Sequence, residues 1–155
     1  MKKIRFTLSI FIAAFFVGSC GEDLVQPKES GTLLFEKSGL VDSAVVYGCY
    51  AYTVRYFVPD TLDLNGYSKM RVEFDGYANS DGSRISIIYS TPDTANVFVY
   101  EVEDQLQVNK YHSHSFQKPA NVIWIELRLY INPPVCGTNE FKYARARDLK
   151  VYGLR

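Results

Sequence analysis

Trp124, Glu126, Arg128 and Tyr130 alternate along the apolar stretch 121–131, so an extended backbone carries all four side chains on one face. An aromatic ring stacks on the apolar face of a sugar while a guanidinium or carboxylate hydrogen-bonds its hydroxyls. That chemistry is binding: it orients a ligand and moves no proton. The structural alternative is that a loop or a second sheet covers Trp124 and that Arg128 pairs with Glu126 or Glu73.

Two other groups have the right types for chemistry. His112-Ser113-His114 places two imidazoles on one face of a strand, about 7 Å apart. Zinc takes three or four protein ligands, so a site there needs Glu101, Glu103 or Asp104 folded back beside the pair. Without such a ligand the segment is a polar face on an edge strand. Asp75, Asp81 and Asp93 offer oxygens of the kind that hold a structural Ca²⁺, but their spacing matches no EF-hand loop. No Gly-x-Ser-x-Gly, His-Glu-x-x-His or phosphate-cradling glycine loop occurs. A glycoside hydrolase needs only two carboxylates close in space. A chain of 155 residues with no insertions to wall a deep cleft points instead to a non-enzyme, with no cofactor beyond such a Ca²⁺.

The elements that position these residues are strands. Residues 32–37 form a short apolar strand ending at Ser38-Gly39. Residues 44–58 read as two strands, or one bent near Gly48, ended by Pro59-Asp60. Asn65-Gly66 is a turn signal. Residues 69–77 then alternate, with Met70, Val72 and Phe74 on one side and Arg71, Glu73 and Asp75 on the other, the period of a half-buried strand. Strands follow over 84–89, 96–102 and 105–116. In 121–131, Ile123, Ile125, Leu127, Leu129 and Ile131 form the inward face, and Asn132-Pro133-Pro134 stops the strand. Residues 137–146 read as a loop or one helical turn, and 147–154 as the closing strand. Eight or nine short strands divided by Gly, Pro, Asn and Asp predict two packed antiparallel sheets or a barrel.

The strand after the Asn-Gly turn within 62–74, together with Asp148-Leu149-Lys150-Val151-Tyr152-Gly153 at the end, resembles the jelly-roll domains of the galactose-binding type. The resemblance covers 32–155 and rests on strand rhythm, with no functional motif. It implies an all-β antiparallel β-sandwich. Sugar-binding modules share that shape with adhesion and accessory domains, so shape alone assigns no ligand.

The N-terminus concerns address. Lys2, Lys3 and Arg5 precede an apolar run over 6–17, too short to span a bilayer, and Gly18, Ser19 and Cys20 follow. Val17-Gly18-Ser19-Cys20 resembles the lipobox of bacterial lipoproteins. The resemblance implies cleavage before Cys20, acylation of that cysteine, and attachment to a membrane through lipid. The competing readings are a secretory signal cut elsewhere and an N-terminal core strand. Several acyl chains on one residue hold a protein stably at a membrane, where a single chain binds marginally. The chain then divides into a signal peptide (1–19), a lipidated N-terminus with a polar tether (20–31) and one domain (32–155). Gly21 after Cys20, with Glu22 and Asp23, resembles sorting signals for the outer membrane or cell surface of the bacterial envelope.

Removing 19 of the 155 residues leaves 136, enough for one domain with a real core. Lys2, Lys3 and Arg5 leave with the signal, so the mature chain carries 14 basic against 17 acidic residues, a net charge of −3. That balance argues against nucleic acid as a partner. Once Cys20 is acylated, Cys49 and Cys136 remain in an oxidising compartment. A bridge between them, 87 positions apart, would contribute about 4–5 kcal/mol in the chain-entropy model; the alternative is two buried thiols.

These readings predict a membrane-anchored envelope lipoprotein carrying a non-catalytic β-sandwich that binds a glycan through Trp124, Glu126, Arg128 and Tyr130. The alternative is a structural or assembly lipoprotein whose partner is another envelope protein. That role predicts an exposed apolar patch or an unpaired strand edge.

Overall fold

The computed structural model describes residues 30–80, 82–103, 108–132 and 141–155, with Glu103 described in its backbone alone. The predicted signal peptide, Cys20, most of the tether, Asp81, Asp104 and Cys136 lie outside the described residues.

Nine strands and no helix form within them: β1 (Thr32–Tyr47), β2 (Tyr52–Phe57), β3 (Leu62–Asp63), β4 (Lys69–Ala78), β5 (Arg84–Ser90), β6 (Val97–Glu103), β7 (Lys110–Gln117), β8 (Val122–Ile131) and β9 (Phe141–Leu154). One sheet has the order β1-β9-β4-β7; the other has β2-β8-β5-β6, with the short β3 beside β8. Every pairing is antiparallel. The pairs nest: β1 with β9, β2 with β8, β4 with β7 and β5 with β6. A chain folded back on itself in that way and wrapped into two sheets is a jelly-roll sandwich, the architecture predicted for 32–155.

The core lies between the sheets. The five inward residues predicted for β8 (Ile123, Ile125, Leu127, Leu129 and Ile131) are all buried, as are Met70, Val72 and Phe74 of β4 and Ile85 and Ile87 of β5. The Asn65-Gly66 turn forms as expected. Gly66 takes a φ of +81°, the Tyr67 N–H donates to the Leu64 carbonyl at 3.2 Å, and the Asp63 carboxylate accepts from the Asn65 N–H at 2.9 Å.

Three sequence expectations are corrected. β1 does not end at Ser38-Gly39 but runs on to Tyr47 through register shifts. Gly39 takes a φ of +77° there, and its N–H donates to Asp148 Oδ1 at 2.7 Å, so the interruption is a bulge tied to β9 rather than a stop. β9 begins at Phe141, within the stretch read as a loop or helical turn. Its inward residues there are Ala144 and Ala146, too small to show an apolar period in sequence. Ala144 lies opposite both Ala44 and Ala78, and all three are fully buried. The expected Cys49–Cys136 bridge is not found among the described residues, which leave out Cys136. Cys49 carries a free, exposed thiol in the bend after Gly48, where the chain leaves one sheet for the other. The loop-entropy argument rewards closure without asking whether the thiol faces inward, and this one faces solvent.

β4 also differs from a half-buried strand. Its outward Arg71 and Glu73 are nearly as buried as its inward face, with Arg71 Nε 2.8 Å from a Glu73 carboxylate oxygen and the guanidinium 4.7 Å from the Tyr152 ring. A central strand's outer face is roofed by long side chains from its neighbours, which the period-2 pattern does not register.

Candidate functional site

The outer face of the five-stranded sheet carries the candidate site. Pairing register sets its rows: Thr53, Tyr130 and Arg84 lie side by side, then Arg55, Arg128, Ser86 and Glu101, then Phe57, Glu126 and Ile88 with Phe98. The first two rows and Phe98 line a groove of about 360 Å³, within the lower range of small-ligand pockets.

A bulge aims Phe98. In the β5–β6 ladder Ile87 pairs with Tyr100 but Ile88 pairs with Phe98, so Val99 is an extra residue. Strict alternation from Val102 and Tyr100 would turn Phe98 inward; the extra residue turns it out, where it is 53% exposed. Its ring lies 5.2 Å from the Arg128 guanidinium, and the Tyr130 ring lies 5.4 Å from that of Arg84.

Ion pairs hold the charged side chains. Arg128 Nε donates to Glu126 Oε1 at 2.6 Å, and Arg55 Nε approaches the same oxygen at 3.6 Å. Arg84 lies 3.6 Å from Glu101 Oε1, while the Ser86 hydroxyl donates to Glu101 Oε2 at 2.9 Å. Arg128 Nη2 is buried and has no hydrogen-bond partner among the described residues.

The chain matches no family model and no curated protein. Nineteen chains among the solved structures are similar to it. One is TmCBM61 in complex with β-1,4-galactotriose, with a TM-score of 0.47 and 13% identity, covering 72% of this chain and 70% of that one. Another is a mutant of CBM29-2, a family 29 carbohydrate-binding module, with a TM-score of 0.37 and 12% identity, covering 80% and 91% respectively.

Of the four residues predicted on β8, the structure brings Arg128 and Tyr130 into the groove and Glu126 beneath Arg128. Trp124 is on the same face and 40% exposed, but it pairs with Ser90 and lies roughly 13 Å along β8 from Arg128. It is not part of the groove. Sequence reading missed Thr53, Arg55, Arg84, Ser86, Phe98 and Glu101. Their strands flank β8 only through a strand order that no local pattern encodes.

The histidine pair has a different role from either one predicted. β7 is an edge strand, yet His112 and His114 face inward and close the open side of the sandwich with aromatic rings. His112 stacks on Phe74 at 5.1 Å with Nδ1 3.4 Å from the Tyr100 hydroxyl, and His114 stacks on Tyr100 at 4.6 Å. Glu101 faces the opposite way, into the groove. Among the described residues no three His, Cys, Asp or Glu side chains gather to hold a metal, and Asp75 and Asp93 stand apart on β4 and in the turn after β5.

Burial pushes the pKa of His112 below its ordinary 6.5; Lys110 adds to the effect and Asp75 opposes it. Burial lowers His114 too, against a hydrogen bond that its ring donates to the Val99 backbone. The unfolded chain therefore binds more protons than the folded one below about pH 7, and stability rises with pH through that range. It is fully present above the unfolded pKa and is lost as pH falls toward the lower folded value. His112→Phe is expected to flatten the loss of urea midpoint between about pH 7.5 and 5. An unchanged slope would show that His112 does not titrate in this way.

Proposed function

We propose that this chain is a lipid-anchored lipoprotein of the bacterial envelope, acylated at Cys20 and displayed at the outer membrane or cell surface, whose β-sandwich is a non-catalytic glycan-binding module. The observation that carries the binding reading is the groove itself. Two aromatic rings, Phe98 and Tyr130, flank guanidinium, carboxylate and hydroxyl groups on one sheet face, and a bulge is spent on turning Phe98 outward. Rings for the apolar side of a sugar and paired polar groups for its hydroxyls are what such a ligand requires. The likeness to carbohydrate-binding modules agrees with this reading but does not carry it.

The groove's carboxylates support a non-catalytic role. Glu101 and Glu126 stand on β6 and β8, two strands apart, which is about 10 Å across the sheet. That backbone separation exceeds the carboxyl spacing of about 5–5.5 Å for a nucleophile and its acid but borders the roughly 6.5–9.5 Å of an inverting pair, so it is the engagement of each carboxylate by an arginine that favours the non-catalytic reading.

A second reading has its own observation. Val45, Tyr47 and Phe141 are exposed together on the outer face of the other sheet, with Tyr47 and Phe141 rings 5.0 Å apart. An apolar patch of that kind suits a protein partner in the envelope.

A glycan-array screen of the full chain in detergent separates the two. The groove reading expects binding to one glycan class, weakened about tenfold by Phe98→Ala, the worth of one stacked ring, and unchanged by Trp124→Ala. Loss of binding in Trp124→Ala but not Phe98→Ala would move the site off the groove. Silence across the array from a folded protein would favour the protein-partner reading.

A further inference from the structure

We propose that the sugar this groove takes carries a carboxylate, so that the ligand is an acidic glycan with uronic-acid units. The inference rests on the glycan reading of the same groove and names its substrate class.

Arg55 and Arg128 sit directly opposite each other in the β2–β8 ladder. Like charges at such positions repel, since their Cβ atoms stand about 5 Å apart. One carboxylate, Glu126, lies between them: its Oε1 accepts from Arg128 Nε at 2.6 Å and lies 3.6 Å from Arg55 Nε. Among the described residues Arg55 makes no other polar contact, with its side chain 51% exposed, and Arg128 keeps Nη2 buried without a partner. A buried donor without a partner is destabilising, more so when it is charged. Both arginines line the groove.

A ligand carboxylate held between the two would offset the repulsion and supply an acceptor to the orphaned nitrogen. The guanidinium fork matches a planar carboxylate, and charge-assisted hydrogen bonds are about twice as strong as those a neutral hydroxyl makes. Arg84 stands on the next strand, also in the groove, with Glu101 3.6 Å away and Glu103 opposite it in the ladder, so the pair available to a ligand carboxylate is Arg55 and Arg128. Phe98 and Tyr130 remain free to stack on the ring of the sugar that bears the carboxylate.

The test is calorimetry of the full chain in detergent with oligogalacturonate, its methyl ester, and alginate and hyaluronan oligosaccharides, at about 0.05 and 0.3 M salt. At least one uronate oligosaccharide is expected to bind about tenfold or more tighter than a neutral counterpart, and to weaken with salt. Arg55→Gln, on an exposed side chain, is expected to remove that preference while leaving the thermal midpoint unchanged. Acid and ester binding alike, or binding confined to neutral or sulfated sugars, would overturn the carboxylate inference and leave the glycan reading standing. No binding by any of these sugars or by any glycan on the array would overturn both.

Discussion

Phe74→Ala is expected to destabilise the domain by about 3–5 kcal/mol, the usual range for deleting a buried ring. Phe74 is on β4, a central strand of the four-stranded sheet, and only 1% of it is exposed. Its ring stacks on His112, directly opposite in the β7 ladder. Removing it leaves a void among aliphatic side chains and uncovers an imidazole whose Nε2 is already buried without a partner among the described residues. Small domains are stable by about 5–15 kcal/mol, so a loss of this size takes a large share of the total. A fall in urea midpoint with unchanged m-value measures it. A loss under about 1 kcal/mol would mean that the two sheets do not close over Phe74 as described.

Glu126→Ala is expected to cost about 2–3 kcal/mol, less than the 3–5 of a fully buried pair because Arg128 keeps an edge toward the groove. The Glu126 side chain is 5% exposed and that of Arg128 16%. Among the described residues this carboxylate is the one paired with both Arg128 and Arg55, so its removal leaves two opposed guanidiniums without that counter-ion. Replacing both members of the Glu126–Arg128 pair with apolar residues of similar size should recover part of the loss. The double-mutant cycle distinguishes a coupled pair from two independent surface groups: an interaction energy near zero would show that the pair contributes no specific support to the groove.

The sequence makes the fold legible where burial is one-sided and the side chains are large. β8 shows this best: Ile123, Ile125, Leu127, Leu129 and Ile131 alternate without a break, and every one is in the core. The same pattern hides what lies on the outer face, because which strands flank β8 depends on contacts far apart in sequence. Arg128 and Tyr130 were therefore visible as a face, while Arg55, Ser86 and Glu101, which complete their row, were not. Phe98 was hidden by the Val99 bulge, since one extra residue reverses the face that alternation assigns. Trp124 carried the most weight by residue type and lies outside the groove. The histidines looked like a polar edge because a buried imidazole and a solvated one are spelled the same. The start of β9 was lost for the opposite reason: Ala144 and Ala146 face the core but add little apolar signal.

The structure of this chain with the tightest-binding glycan from the array tests the central claim most directly. The account predicts a sugar ring against Phe98 and Tyr130, about 4 Å from their faces, with polar contacts to Arg55 and Arg128. A glycan seated instead on Tyr47 and Phe141 across the sandwich, or beside Trp124 with the groove empty, would contradict it.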